Sequence, residues 1–315
     1  MVKRTVAPEL NVQLLREGIP ESQHKASAVV CDRRGRILLS AGDANISTFI
    51  RSSLKPFQAL TVASTGVLER YDLSELDLAL MCASHKGTPA HARNAFRILW
   101  KCGLEPDALQ CPVPAGKKSP LEHNCSGKHA GMLAVCRLRN WPPSTYMQPS
   151  HPIQQAIVEK LAEMLNMPAA EFLVARDDCG APTYLMSLMQ IATLYGKLAS
   201  GDNLELERIV RAMTQHPECV GGDGHFDTEL MRVSEGKLVS KSGAEGVQCV
   251  GRIGDGMGLA IKVADGAKRA KYAVAIQALR QMGWLDPTAA ETLADKFLTL
   301  NDFKRLEVLG ELSIV

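Results

Sequence analysis

Apolar runs that read as strands lie toward both ends of this 315-residue chain, and the middle reads as helices. Ala28-Val29-Val30-Cys31 is closed by Asp32-Arg33-Arg34-Gly35, which is turn chemistry, and residues 36–40 return as a second strand. Far along the chain, residues 247–250 and 257–263 are two more such runs, joined by a glycine-rich turn. Residues 8–18 alternate apolar positions, and Glu21-Ser22-Gln23-His24 reads as a polar turn. Strands must pair to satisfy their backbone groups, so the two ends are expected to meet in one sheet assembled from distant segments. The expected fold class is α/β (α+β), a central, mainly antiparallel sheet with flanking helices. No linker or internal repeat divides the chain, so residues 1–315 read as a single domain.

Several helices have readable starts. Arg51-Ser52-Ser53-Leu54-Lys55-Pro56-Phe57-Gln58-Ala59-Leu60 has helical apolar spacing, with Pro56 near the beginning, where its missing N–H costs little. An apolar run over 76–83 stops at Ser84-His85-Lys86-Gly87; Thr88 then caps a helix over 90–100, with Pro89 at its first position. A proline- and lysine-rich loop over 103–124 precedes helical spacing from Gly127, where small residues permit close packing. Further helices are expected at about 151–166, 183–197, 203–214, 267–281 and 287–297, with a short one carrying Asp227 and Thr228.

Composition narrows the function. A formal net charge of +2 without a long charge block gives no basic field for nucleic acid or an anionic membrane. No signal-like or membrane-spanning apolar run is present. Nine cysteines without a secretory signal point to a reducing compartment, and the cytoplasm is the expectation.

Three short motifs stand in one order: Ser52-x-x-Lys55, Ser84-His85-Lys86 and Lys241-Ser242-Gly243. Positions three apart share a helix face, so the Lys55 amine can serve the Ser52 hydroxyl as base, with Arg51 a neighbouring cation that favours its neutral form. Any one motif is weak evidence. Their order, however, is the one in which serine β-lactamases and penicillin-binding proteins carry nucleophile and base, proton relay, and a strand-edge cation for a substrate carboxylate. His24 and His85 are candidate relays. Asp223, Asp227 and Glu245 are candidates for a substrate ammonium group, although solvated loop carboxylates are commoner. The glycines over 251–258 lack the strand–turn–helix setting of a dinucleotide site.

Over almost its whole length the chain resembles the Rhizobium etli-type L-asparaginases. The resemblance is carried by Glu21-Ser22-Gln23-His24, Arg51-Ser52-Ser53-Leu54-Lys55-Pro56-Phe57-Gln58-Ala59, Cys82-Ala83-Ser84-His85 and Asn124-Cys125-Ser126-Gly127-Lys128-His129-Ala130-Gly131. It continues in Asp177-Asp178-Cys179-Gly180, the stretch from His216-Pro217 to Gly222, and Lys241-Ser242-Gly243-Ala244-Glu245-Gly246. The resemblance implies a serine β-lactamase/glutaminase-like fold, a homodimer, and hydrolysis of L-asparagine to L-aspartate and ammonia. Ser52 would be the nucleophile paired with Lys55, and Ser84 a second catalytic serine. The relatives place a lysine three residues after that second serine; here Lys86 is two residues on and Gly87 holds the third place. Arg51, His85, Asp177, Lys241 and Glu245 would bind substrate. Cys125, Lys128 and Cys179 would hold one zinc ion, although spacing alone suggests His129 as a ligand beside Cys125, and an amine must lose its proton to bind metal. The rival readings are a glutaminase or other serine acyl-enzyme, and a non-catalytic zinc or redox protein.

Overall fold

Glu17 and Gly18 both take left-handed backbone angles, φ 48° and 85°. This two-residue turn joins β1 (Leu10–Arg16) to β2 (Ile19–Asp32). The expected polar turn at Glu21-Ser22-Gln23-His24 therefore lies inside β2, paired with β1 from Ser22↔Leu14 to His24↔Val12. Turn chemistry at Asp32-Arg33-Arg34-Gly35 does lead into β3 (Ile37–Ala41), and a short β4 (Ser47–Phe49) follows. The computed structural model describes residues 7–315. These residues group into two units, one reaching to residue 53 and including 186–201 and 229–315, the other of residues 54–185 and 202–228.

A 3-10 turn (Arg51–Leu54) runs into α1 (Lys55–Ala63), with Pro56 in its first turn. Arg51 has φ 53°, a left-handed conformation that costs a non-glycine residue about 1–3 kcal/mol. The second unit continues with α2 (Val67–Arg70), α3 (Glu75–Met81), α4 (Pro89–Lys101), α5 (Ser126–Arg139) and α6 (Pro152–Leu165). The apolar run over 76–83 is thus α3. Ser74 caps it, and buried Asp77 completes the capping box while binding Arg97. Thr88 caps α4 as expected, but the third helical residue that closes its capping box is His91, not Glu or Gln. Gly127 and Gly131 let α5 approach closely: a Cβ at Gly127 would lie 2.2 Å from the Leu80 carbonyl oxygen, and one at Gly131 2.9 Å from Met81 Sδ.

Residues 183–187, expected to be helical, belong instead to β6 (Pro182–Ser187), which pairs antiparallel with β5 (Leu173–Arg176). Helix α7 (Leu188–Leu198) lies in the first unit, packed on the sheet where Gly258 admits it: a Cβ there would lie 2.1 Å from the Ala192 carbonyl oxygen. Helices α8 (Leu204–Gln215) and α9 (Pro217–Val220) belong to the second unit, and α10 (Phe226–Val233) follows. The chain ends with β7 (Leu238–Ser242), β8 (Val247–Arg252), β9 (Met257–Val263), α11 (Lys268–Gln281), α12 (Pro287–Phe297), β10 (Thr299–Asn301), β11 (Lys304–Leu309) and β12 (Ser313–Ile314).

The expected sheet forms from both chain ends. Its order is β10-β11-β1-β2-β9-β8-β7, with β3 on β2 and β12 on β3. Every described pairing is antiparallel. The long β2 organises it, since its first half pairs β1 and its second half lies between β3 and β9. Val29, Val30, Leu259, Ala260 and Ile261 are buried there, where α7 and α11 both pack on β2 and β9. No helix among the described residues is long and apolar enough to cross a membrane.

Candidate active site

The first unit brings the serine-bearing turn onto β7. Ser53 Oγ donates to the Lys241 carbonyl at 3.0 Å, and Tyr195 Oη donates to the Ser53 carbonyl at 2.8 Å. Gly243 makes room for this contact, because a Cβ there would lie 3.0 Å from both the Ile50 carbonyl oxygen and Ser53 Oγ. The first and third motifs are therefore neighbours. Ser52 is half-buried, and its hydroxyl makes no hydrogen bond among the described residues. Lys241 is fully buried, and its Nζ donates to the Ser242 carbonyl at 2.8 Å. Ser242, Gln248 and Ser240 form a buried polar chain behind it. Lys271 of α11 donates to the Gly243 and Val247 carbonyls, at 2.6 and 3.1 Å, and so ties down the β7–β8 turn. Glu245 is exposed in that turn at φ 55°, beside Gly246 at φ 75°. His24 is held on both sides, by Asp265 at Nδ1 and Arg269 at Nε2.

In the second unit, buried Lys55 donates to Ser84 Oγ at 3.0 Å, the Ala83 carbonyl at 2.5 Å and the Asn124 carbonyl at 3.4 Å. The serine that Lys55 meets here is thus the second one, Ser84. Lys86 turns elsewhere and donates to the Asp223 carbonyl at 2.5 Å. Gly87 explains part of this. Its φ of 63° and the Glu122 carbonyl, 2.1 Å from where a Cβ would sit, leave no room for a side chain at the third place. His85 is buried with both nitrogens engaged: Nδ1 accepts from the Gly87 N–H at 3.1 Å, and Nε2–H donates to Ser126 Oγ at 3.0 Å. Burial first, then His91, Lys55 and His123, hold it well below the usual histidine range, so it is neutral. It acts as a brace.

Next to Lys55 lies the cysteine cluster. Cys125 is the residue before α5, Lys128 sits in its first turn, and Cys179 arrives from the loop after β5; all three are buried. Lys128 Nζ donates to Cys179 Sγ at 3.0 Å. The hydrogen bond from Cys179 holds the Cys125 thiol well below its usual range; burial opposes it, and Lys55 and Lys128 assist. That bond and burial push Cys179 up. Burial pulls Lys128 down, but Cys179, Cys125 and Asp177 together outweigh it and keep the amine protonated. Asp177 is fixed in a tight turn, its N–H bonded to the Ala181 carbonyl at 2.9 Å.

These residues fit a metal ion in position: two sulfurs and an amine converge, one sulfur already favouring the thiolate. Among the described residues no group of three or more His, Cys, Asp and Glu forms a metal site, so a site here depends on the lysine. His129 offers no easy substitute. Tyr146 Oη accepts from the Gln110 N–H at 3.0 Å, so its own hydrogen goes to His129 Nδ1, 2.6 Å away. The ring, neutral with its pKa pulled down to about 4 chiefly by burial, then carries its proton on Nε2, a buried nitrogen without a well-formed hydrogen bond. A ring in that state lies beside Cys179 as a donor, not as a ligand. Sequence reasoning missed Tyr146, Tyr195 and Lys271. The first is in a proline-rich loop, and the other two sit in helices that read simply as core.

The model of the L-asparaginase II family matches residues 12–314. The chain belongs to that family. No curated protein matches the chain. Among solved structures, Mglu in its native form at 4.3 M NaCl is 13% identical, with a TM-score of 0.38, covering 82% of this chain and 61% of its own. A β-lactamase from Mycobacterium bovis is 14% identical, with a TM-score of 0.44, covering 87% of this chain and 95% of its own. The chain therefore spans less than two thirds of Mglu.

Proposed function

We propose that this L-asparaginase II family member hydrolyses L-asparagine to L-aspartate and ammonia in the manner of the Rhizobium etli-type enzymes, with Ser52 as nucleophile. The observation that carries the reading is the hydrogen bond between buried Lys55 and Ser84, at 3.0 Å. It joins the lysine of the first motif to the serine of the second, as a proton relay requires. Ser52 precedes Lys55 by three residues on one continuous helical stretch. Its Oγ attacks the side-chain amide carbon, and its proton passes to an unprotonated Lys55. Ser84 then hands a proton to the departing nitrogen, which leaves as ammonia, and water hydrolyses the aspartyl ester. Lys241, Arg51 and Asp177 are the charged groups assigned to the substrate's carboxylate and ammonium. A zinc ion held by Cys125, Cys179 and deprotonated Lys128 would add fixed positive charge next to Lys55 and favour its neutral form.

Ammonia release from L-asparagine and L-glutamine, by the full chain and by its Ser52→Ala and Ser84→Ala variants, tests the reading. Asparagine should be the better substrate, and Ser52→Ala should lower kcat/KM by about a thousandfold or more. Full activity in Ser52→Ala would sink it. Glutamine as the preferred substrate would make the chain a glutaminase instead.

A further inference from the structure

Lys271 is a lysine that points inward. It stands near the start of α11 and is only 4% exposed, and a lysine is buried this far only where its head finds acceptors. The turn after β7 supplies them. Ser242 pairs with Gln248, so Gly243 and Val247 are the next two residues along the ladder. The Gly243 N–H donates to the Val247 carbonyl at 2.9 Å, one of the two bonds that a hydrogen-bonded antiparallel pair exchanges. The return bond is not made, because the Val247 N–H goes to the Ala244 carbonyl at 3.3 Å. The Gly243 carbonyl has therefore lost its ladder donor. Lys271 Nζ takes that place at 2.6 Å and shares the Val247 carbonyl at 3.1 Å. On its other side Gly243 abuts the serine-bearing turn, where the Ile50 carbonyl and Ser53 Oγ leave no room for a Cβ. Ser53 in turn bonds the Lys241 carbonyl. Gly243 is thus clamped between Lys271 and the turn that carries Ser52.

We propose that Lys271 is a positioning residue for substrate binding: through Gly243 it sets where Lys241 and Glu245 stand relative to the serine turn. This rests on the reading above, in which Lys241 takes the substrate's carboxylate. Glu245 and Gly246, both left-handed in the same turn, make the hold necessary, since such backbone persists only where its surroundings fix it. Lys271 donates to main-chain carbonyls and leaves the reacting groups to others. Its loss therefore weakens the bound substrate and the transition state alike, which raises KM and spares kcat. A lysine that merely completed the core would change stability and leave KM where it was.

Lys271→Met in the full chain tests it, because methionine keeps the length of the side chain and removes the donor. Lys268→Met, at an exposed lysine of the same helix, is the control. Lys271→Met should raise KM for L-asparagine about tenfold with kcat within about threefold, and weaken L-aspartate binding in step. Hydrogen exchange at the Gly243 and Val247 amides should quicken by about tenfold. Lys268→Met should change none of these. Gly243→Ala leaves Lys271 in place but pushes the turn off Ser53, so it should raise KM in the same way, and it carries the test if Lys271→Met does not fold. Exchange at the wild-type rate in Lys271→Met would overturn the proposal whatever the substrate is. Faster exchange with an unchanged KM would overturn it too, by reducing Lys271 to a core contact. A wild-type chain that releases no ammonia sinks the functional reading instead, and exchange alone then decides whether Lys271 holds the turn.

Discussion

Replacing Lys55 by methionine separates what this lysine does for the fold from what it does for the reaction. Methionine keeps the length and most of the volume of the side chain, so packing changes little. What is lost is the donor to three acceptors, at 2.5, 3.0 and 3.4 Å. The Asn124 contact is long and contributes least. The Ala83 carbonyl is left buried and unpaired at a cost of about 1–3 kcal/mol, and Ser84 Oγ costs about 1 kcal/mol less, because a hydroxyl can turn to another partner. Removing a desolvated polar head from a residue only 1% exposed returns part of that sum. The net expectation is a loss of about 2–3 kcal/mol, a large share of a normal stability of roughly 5–15 kcal/mol. Ser84→Ala removes one of the three bonds and should cost only about 1 kcal/mol. Urea unfolding followed by circular dichroism gives both numbers, and ammonia release on the same samples gives activity. If the methionine variant unfolds at the wild-type urea midpoint, the contacts drawn here are not made in solution and the relay built on them fails. If it is destabilised as expected yet still releases ammonia, Lys55 is a structural residue and the base lies elsewhere.

Gly87→Ala should destabilise the fold by several kcal/mol in the same unfolding assay, because the new Cβ would meet the Glu122 carbonyl at a left-handed backbone position; a shift below about 0.5 kcal/mol would be within surface-substitution scatter and would contradict that packing. Purified protein should carry about one zinc per chain by mass spectrometry of the metal. Cys125→Ser should lose it, and a metal-free wild type as stable to heat as the loaded form would rule out a structural contribution. Asp265 should make stability fall in acid: the His24 hydrogen bond holds its carboxyl below the usual range, with the Ala267 N–H assisting. The folded-state value is lowered, so the contribution is complete above the unfolded value near 3.9 and disappears as pH falls through the lower folded one. Asp265→Asn should flatten the acid limb of the urea midpoint between about pH 4 and pH 2, by a small amount because this carboxylate is half exposed. An acid limb unchanged by the substitution would show that the pair contributes nothing.

Local chemistry was legible in the sequence, and partnership across distance was not. Thr88-Pro89 announces the start of α4 because a cap and a proline act within one turn, and the same holds for Pro56 at α1. The polar turn expected at Glu21-Ser22-Gln23-His24 is instead part of β2, because the chain turns earlier, at Glu17-Gly18, which lacks the usual asparagine or aspartate. Residues 183–187 read as helix because an apolar run shows no period, and pairing of this segment with Leu173–Arg176 makes it a strand. The site divides in the same way. Small residues after Cys125 were readable as a close-packed helix, and Gly127 against Leu80 is that contact. By contrast, nothing in the spacing of Cys125, Lys128 and His129 says which of the latter two is free to bind a metal. Tyr146, whose hydroxyl lies 2.6 Å from His129 Nδ1, occupies one side of that ring, and it comes from a loop that the spacing does not reveal. The second serine follows the same logic. Sequence offered it Lys86, the nearest amine in the chain, but the left-handed turn at Gly87 and the Asp223 carbonyl take Lys86 away. The amine that reaches Ser84 is Lys55, already present in the first motif.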